Sequence, residues 1–268
     1  MKNKQLLKDK KQYIRRITAF GIFVIAVMGI YFNPLYNYTG ELAVSKTDKS
    51  HIIIAIDVGH SKTDPGAISS RGIAEYYFNL NLARLLYAEL IAQGYKPFII
   101  NENGDNIKLI DRAGIAEKKF AQLLISIHHD SVQQKFLKSW IYNKKKYLYF
   151  DLYSGYSVFY SNSNRFAVNS LEFAKILAST LKRSGFIPTL HHAEVIKGEN
   201  RNLISRDLGI YRVDDFGIIK RPKIPSVIIE SGIIVNRDEE FLLSNKVYQK
   251  ALINSLIKSI DLYENMNR

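Results

Sequence analysis

Three short apolar runs, far apart in this chain, each end in residues able to bind a metal or carry a proton. Ile52–Asp57 leads into Val58-Gly59-His60, Leu123–Ile127 into His128-His129-Asp130, and Ser226–Ile229 into Glu230-Ser231-Gly232. Runs of this length, rich in β-branched residues, read as strands of a sheet covered on both faces. As parallel neighbours they would bring their carboxyl ends to one edge, where open α/β sheets place their sites. Two imidazoles and a carboxylate then converge, and Glu75, opening the helix after the Gly59–Gly72 loop, can lean over the same edge. Two His plus one Glu is a ligand set for a catalytic zinc that leaves the fourth position for water. A second, unligated carboxylate is what a zinc hydrolase needs to take a proton from that water. Taken singly, these residues have plainer readings. A lone His after a strand is commonly a hydrogen-bonded surface or core residue, and Glu75 is a helix-start carboxylate favoured by the helix dipole. Glu230 is harder to dismiss, because it lies inside an apolar run where an unpaired charge is expensive. Spacing alone leaves the metal site open.

From His51 onward, short apolar runs alternate with helical patterns, which predicts one α/β domain over 51–268 with a mostly parallel central sheet flanked by helices. Pro97–Ile100 and Ser157–Tyr160 are further strand candidates. The spacing predicts helices over Glu75–Gln93 and Phe166–Arg183. A third runs from about Glu239 to Tyr263, with Phe241, Tyr248, Leu252, Leu256 and Ile260 inward. Gln133–Tyr153 is the least regular stretch and reads as an inserted surface loop or short helix, the place for a gating element. The chain has no cysteine, which excludes a disulfide scaffold, an iron–sulfur cluster, a Cys-ligated zinc and a thiol nucleophile.

The net charge of +13 is uneven: residues 1–16 hold seven Lys/Arg against Asp9, leaving +7 for the remainder. Positive charge before the uncharged run 17–32 predicts a cytoplasmic tail over 1–16, a single-pass membrane anchor over 17–36 and a linker over 37–50. A cleaved signal peptide is the rival reading, although a small-residue cleavage site does not closely follow the apolar run. A buried core helix is the other. An anchored, exported domain with residual basic charge suits a polyanionic partner such as a cell wall. Nucleic acid fits poorly, since no recognition motif is present.

Four ordered motifs make the chain recognisable. Asp57-Val-Gly-His60-Ser-Lys-Thr-Asp-Pro-Gly66-Ala, Gly72-Ile-Ala-Glu75, Ile125-Ser-Ile-His128 and Ile224-Pro-Ser-Val-Ile-Ile-Glu230-Ser-Gly232-Ile-Ile-Val-Asn236 resemble those of the zinc-dependent N-acetylmuramoyl-L-alanine amidases over about residues 51–263. The resemblance implies one zinc ion held by His60, Glu75 and His128, with Glu230 as the catalytic carboxylate. It implies peptidoglycan as substrate, cleavage between muramic acid and L-Ala of the stem peptide, and a place in the bacterial cell envelope on the outer side of the cytoplasmic membrane. Arg112 matches a family arginine with a structural role. The chain departs from the general pattern at Val58, at His128-His129-Asp130 and at Ile100-Asn101. Adjacent strand residues point to opposite sides, so only one of His128 and His129 should face the metal, and the resemblance selects His128.

The remaining polar cluster is Leu190-His191-His192-Ala193-Glu194 with Lys197-Gly198-Glu199-Asn200-Arg201. It reads either as a solvated loop or as a substrate lip in which His192 or Glu194 touches sugar or peptide and Arg201 grips a stem-peptide carboxylate; a second metal there is the remaining alternative. His129 is a separate candidate for substrate contact. Two other functions stay open: a wall-binding protein of this fold without turnover, and a zinc peptidase cutting within the stem peptide. A protein activator is a further partner to consider.

Overall fold

Isoleucines dominate β1 (Lys49–Val58), whose last five positions are all buried, as in a strand covered on both faces. In this computed structural model, which describes residues 48–267, the order continues as α1 (Glu75–Ala92), β2 (Tyr95–Ile100), α2 (Leu109–Lys118) and β3 (Leu123–Asp130). Next come β4 (Lys138–Tyr142), β5 (Lys145–Tyr149), β6 (Ser157–Tyr160) and α3 (Ala167–Arg183). The chain closes with β7 (Asn202–Ser205), β8 (Ile210–Arg212), α4 (Gly217–Lys220), β9 (Ser226–Ile233), α5 (Arg237–Leu243) and α6 (Lys246–Met266). The expected basic tail and membrane anchor, and most of the linker, lie outside the described residues. Among the described residues no helix is long and apolar enough to cross a membrane.

Seven strands form the main sheet in the order β2-β1-β3-β9-β6-β8-β7. β2, β1, β3 and β9 run parallel, so the three strands that carry His60, His128 and Glu230 are adjacent and end at one edge. The sheet is mostly parallel as expected, with β6 also parallel to β8, but it is mixed: β6 pairs antiparallel with β9, and β7 antiparallel with β8. The reason lies between β3 and β6, where no crossover helix carries the chain back across the sheet. Without one, the chain re-enters the sheet running the opposite way.

Helices α1, α3 and α6 pack together on one face of the sheet. Across the sheet, Ala116 of α2 and Ile218 and Ile219 of α4 close over Ala55, Leu124, Phe159 and Ile228. The single long C-terminal helix expected from Glu239 breaks at Ser244–Asn245. Asn245 caps α6 by accepting from the Val247 and Tyr248 amides, as Asn236 caps α5 through Asp238 and Glu239. On the short α5, Phe241 is 67% exposed instead of inward, whereas Tyr248, Leu252, Leu256 and Ile260 of α6 are buried.

Gln133–Tyr153 also departs from expectation, because most of it is an antiparallel hairpin of β4 and β5. Asn143 and Lys144 take φ of 47° and 63°, the backbone that a two-residue hairpin turn demands. Trp140, Tyr142, Tyr147 and Tyr149 occupy the half-buried face. The Arg237 guanidinium lies 3.9 Å from the Tyr149 ring and 5.0 Å from that of Trp140, and Trp140 Nε1 donates to the Ser70 carbonyl at 2.7 Å.

Candidate metal centre

The end of β1 is clamped before any ligand is placed. Asp57 is buried, accepts from Ser126 Oγ at 2.7 Å, and faces Arg112 Nη1 at 3.3 Å. Arg112 also donates to the carbonyls of Val58 and His60, each at 2.6 Å, and Asn101 Nδ2 donates to the His60 carbonyl at 2.6 Å. A buried charge pair is tolerable only when its remaining hydrogen-bonding capacity is used, as here. These contacts hold His60 at φ 67°, a strained conformation for a non-glycine residue that turns its side chain over the sheet edge. The structural role expected of Arg112 is thus to fix the backbone that carries His60.

Glu75, first residue of α1, sits between the two imidazoles. Its Oε2 lies 3.0 Å from His60 Nε2, and its Oε1 lies 3.1 Å from His128 Nδ1. Ala67 N donates to Oε2, while Asn79 Nδ2 and His129 N donate to Oε1. Burial opposes ionisation of Glu75, but the His128 and His60 imidazoles outweigh it and hold the carboxyl well below its usual range. Two glycines leave room for this packing. A Cβ on Gly59 would stand 2.3 Å from the His128 ring, and one on Gly66 would stand 2.4 Å from Glu75 Oε2.

Glu230 pairs with His128 across β3 and β9, and a one-residue bulge in β9 follows immediately. Its Oε2 is buried without a hydrogen-bond partner. Burial, then the nearby negative charges of Asp130 and Glu75, push its carboxyl well above the ordinary range. His60, Glu75, His128 and Glu230 all line a cleft of about 290 Å³.

Of the positions expected to meet substrate, His129, His192 and Arg201 also line this cleft. Glu194 is instead engaged by Tyr153, whose hydroxyl donates to it at 2.6 Å. The His129 ring is buried against α1, with Nδ1 2.8 Å from Asn79 Oδ1 and the ring 5.5 Å from that of Phe78. Burial lowers its pKa to about 4, so it is neutral at physiological pH. Adjacent His128 and His129 therefore do turn to opposite sides, and His128 is the one against Glu75. Asn79 escaped sequence reasoning, although its place one turn after Glu75 was a usable signal. Phe159 and Phe216, which line the far wall, carried no signal beyond apolarity.

One donor atom from each of His60, Glu75 and His128 lies within 4.8 Å of the others. Two imidazoles and a carboxylate at this spacing fit a zinc-class ion.

Residues 54–261 match the family model described as N-acetylmuramoyl-L-alanine amidase. A Buchnera aphidicola subsp. Baizongia pistaciae protein, provisionally described as an N-acetylmuramoyl-L-alanine amidase, is 29% identical over 220 residues, covering 79% of this chain and 96% of that relative. The N-acetylmuramoyl-L-alanine amidase AmiC of Neisseria meningitidis is 23% identical over 80% of this chain, which spans 53% of that relative's length. Among solved structures, the N-acetylmuramyl-L-alanine amidase Ami1 of Mycobacterium smegmatis shares the fold with a TM-score of 0.63 at 18% identity, covering 81% of this chain and 98% of that one. The CwlD amidase of Clostridioides difficile, solved in complex with the GerS lipoprotein, has a TM-score of 0.58 at 23% identity, covering 80% of this chain and 99% of that one.

Proposed function

The chain belongs to the N-acetylmuramoyl-L-alanine amidase family, and from that premise we propose that it is a zinc-dependent peptidoglycan hydrolase acting through His60, Glu75, His128 and Glu230. The observation that carries the reading is the convergence of three donor atoms within 4.8 Å beside a buried, unpartnered carboxylate oxygen of Glu230. The bond cleaved is the amide between the muramic acid lactyl group and L-Ala of the stem peptide.

His60, Glu75 and His128 would hold the ion. The chemistry a zinc ion would supply there is Lewis acidity toward a water and the scissile carbonyl. Glu230 does the proton work. Its raised pKa makes it a stronger base than an exposed carboxylate, so it accepts the proton of the attacking water. It then delivers that proton to the L-Ala nitrogen as the C–N bond breaks, leaving a lactyl carboxylate and a free amine. Arg112, Asp57 and Ser126 keep the end of β1 rigid, which holds the His60 imidazole in register with that of His128. Arg201, in the cleft wall, presents a guanidinium to a stem-peptide carboxylate, while both ring nitrogens of His192 are turned to Asp130 and Glu199 in the same wall. Glu194, held by Tyr153, acts as a positioning residue behind the cleft, and His129, held by Asn79, lies in its lining. Segment 17–36, if it is the expected anchor, would hold the domain on the outer face of the cytoplasmic membrane, facing the wall.

The test digests defined peptidoglycan with the full-length chain, with and without chelator, and identifies the new ends by mass spectrometry. The reading expects disaccharide strands freed of intact stem peptides, abolished by chelator and restored by zinc. Cuts within the stem peptide would make the protein a peptidase. Metal binding without product release would make it a wall-binding protein.

A further inference from the structure

A second group of donors lies in the wall of the same cleft and takes no part in the first. One donor atom each from Asp130, His191 and His192 lies within 4.8 Å of the others. Asp130 Oδ2 stands 2.9 Å from His192 Nε2 and 3.3 Å from His191 Nε2. All three atoms are buried, and none makes a hydrogen bond of acceptable geometry. Three buried polar atoms aimed at one another and left unsatisfied are costly unless something charged lies between them.

The outer nitrogens explain what that something is. His192 Nδ1 is 3.0 Å from Glu199 Oε2 and donates its hydrogen to that carboxylate, which leaves Nε2 as the atom facing Asp130 Oδ2. His191 Nδ1 is likewise engaged, 2.9 Å from Thr189 Oγ1. Glu199 is itself oriented by Gln133 Nε2 at 3.0 Å. A ligand imidazole whose other nitrogen is held by an oriented carboxylate is the usual second layer of a metal site. One proton could settle one imidazole against Asp130. A cation settles both imidazoles and the carboxylate together.

We propose that Asp130, His191 and His192 form a second binding site for a zinc-class divalent cation, separate from the centre at His60, Glu75 and His128. Imidazole and carboxylate donors without thiolate suit zinc better than calcium or magnesium. Asp130 and His192 line the cleft whereas His191 does not, so these residues would hold the ion in the cleft wall. It also ties the segment after α3 to the end of β3, one residue pair away from Glu230.

The test counts metal. The full-length chain is stripped with chelator, reloaded with zinc alone, desalted and measured by elemental mass spectrometry. Wild type is expected to retain about two equivalents, with Asp130→Asn, His191→Gln and His60→Ala each retaining about one. One equivalent in wild type, lost in His60→Ala and kept in Asp130→Asn and His191→Gln, overturns the proposal and leaves a proton between Asp130 and His192. Loss of both equivalents in His60→Ala also overturns it. Anomalous scattering at the zinc edge from wild-type crystals needs no variant: a peak between Asp130 and the two histidines supports the site, and a single peak at His128 refutes it. Since the two centres are counted separately, failure here leaves the amidase reading standing.

Discussion

Gly59→Ala tests whether the geometry of the cleft, and not merely its residue content, holds the ion. The added Cβ would stand 2.3 to 2.6 Å from three atoms of the His128 ring, where ordinary contact begins at 3.4 Å. The ring must therefore retreat by about 1 Å, well outside the roughly 0.2 Å tolerance of metal–ligand distances. Gly59 does not have a positive φ, so the substitution meets a side-chain clash and not a backbone conflict. Zinc affinity should fall by at least about 10–100-fold, the scale on which misplaced ligands act. Overpacking costs about 1–3 kcal/mol, which for a domain of this size lowers Tm by only about 2–12 °C. Affinity would be read by competition against a chelating dye, and Tm in the presence of chelator so that zinc loss does not enter. Gly114→Ala in α2 is the control, since its Cβ would meet nothing within 4 Å. Normal zinc affinity in Gly59→Ala would refute the placement of the His128 ring.

Glu230→Gln should lower kcat by about 10²–10⁴-fold while zinc content stays at the wild-type level. Because the proton acceptor must be ionised and its pKa is raised, the acid limb of the wild-type rate profile should lie above pH 4.5, the ordinary value for this carboxyl. Arg112→Met leaves buried Asp57 unpaired and should destabilise the domain by about 3–5 kcal/mol in urea melts, against a much smaller loss for the double variant with Asp57→Leu. His129 falls from 6.5 to about 4 on folding, so the unfolded chain binds the extra proton first. Its contribution is complete above pH 6.5 and is lost as pH falls toward 4, by about 3 kcal/mol at most. His129→Gln should flatten the pH dependence of urea stability across that window.

The parallel core was legible because each strand is a largely apolar run followed by a polar residue, and that polar residue marks the sheet edge. His60 and His128 carry the same signal, whereas Glu75 opens a helix and joined them as a ligand only through the family resemblance. β6 reads as a strand in sequence, but its direction depends on a missing crossover helix, which a residue pattern cannot display. The hairpin was missed for a different reason: the alternation of Trp140, Tyr142, Tyr147 and Tyr149 was present but hidden by the lysines of its turn. Asn245 shows the converse. Its side chain starts a new helix inside a continuous apolar periodicity, and packing then leaves Phe241 of the preceding short helix in solvent. The second cluster was visible only as two neighbouring histidines, because Asp130 joins them through tertiary structure.

The return from β3 to β6 without a crossover has a practical result. Both ends of that excursion are anchored in the sheet, by pairing of β3 and of β6 with β9. Everything between them contributes no strand to the main sheet. The hairpin instead rests on the loop that leads into Glu75, through Trp140 on the Ser70 carbonyl and Tyr147 against Gly72, so exchanging it would loosen the approach to the first ligand helix.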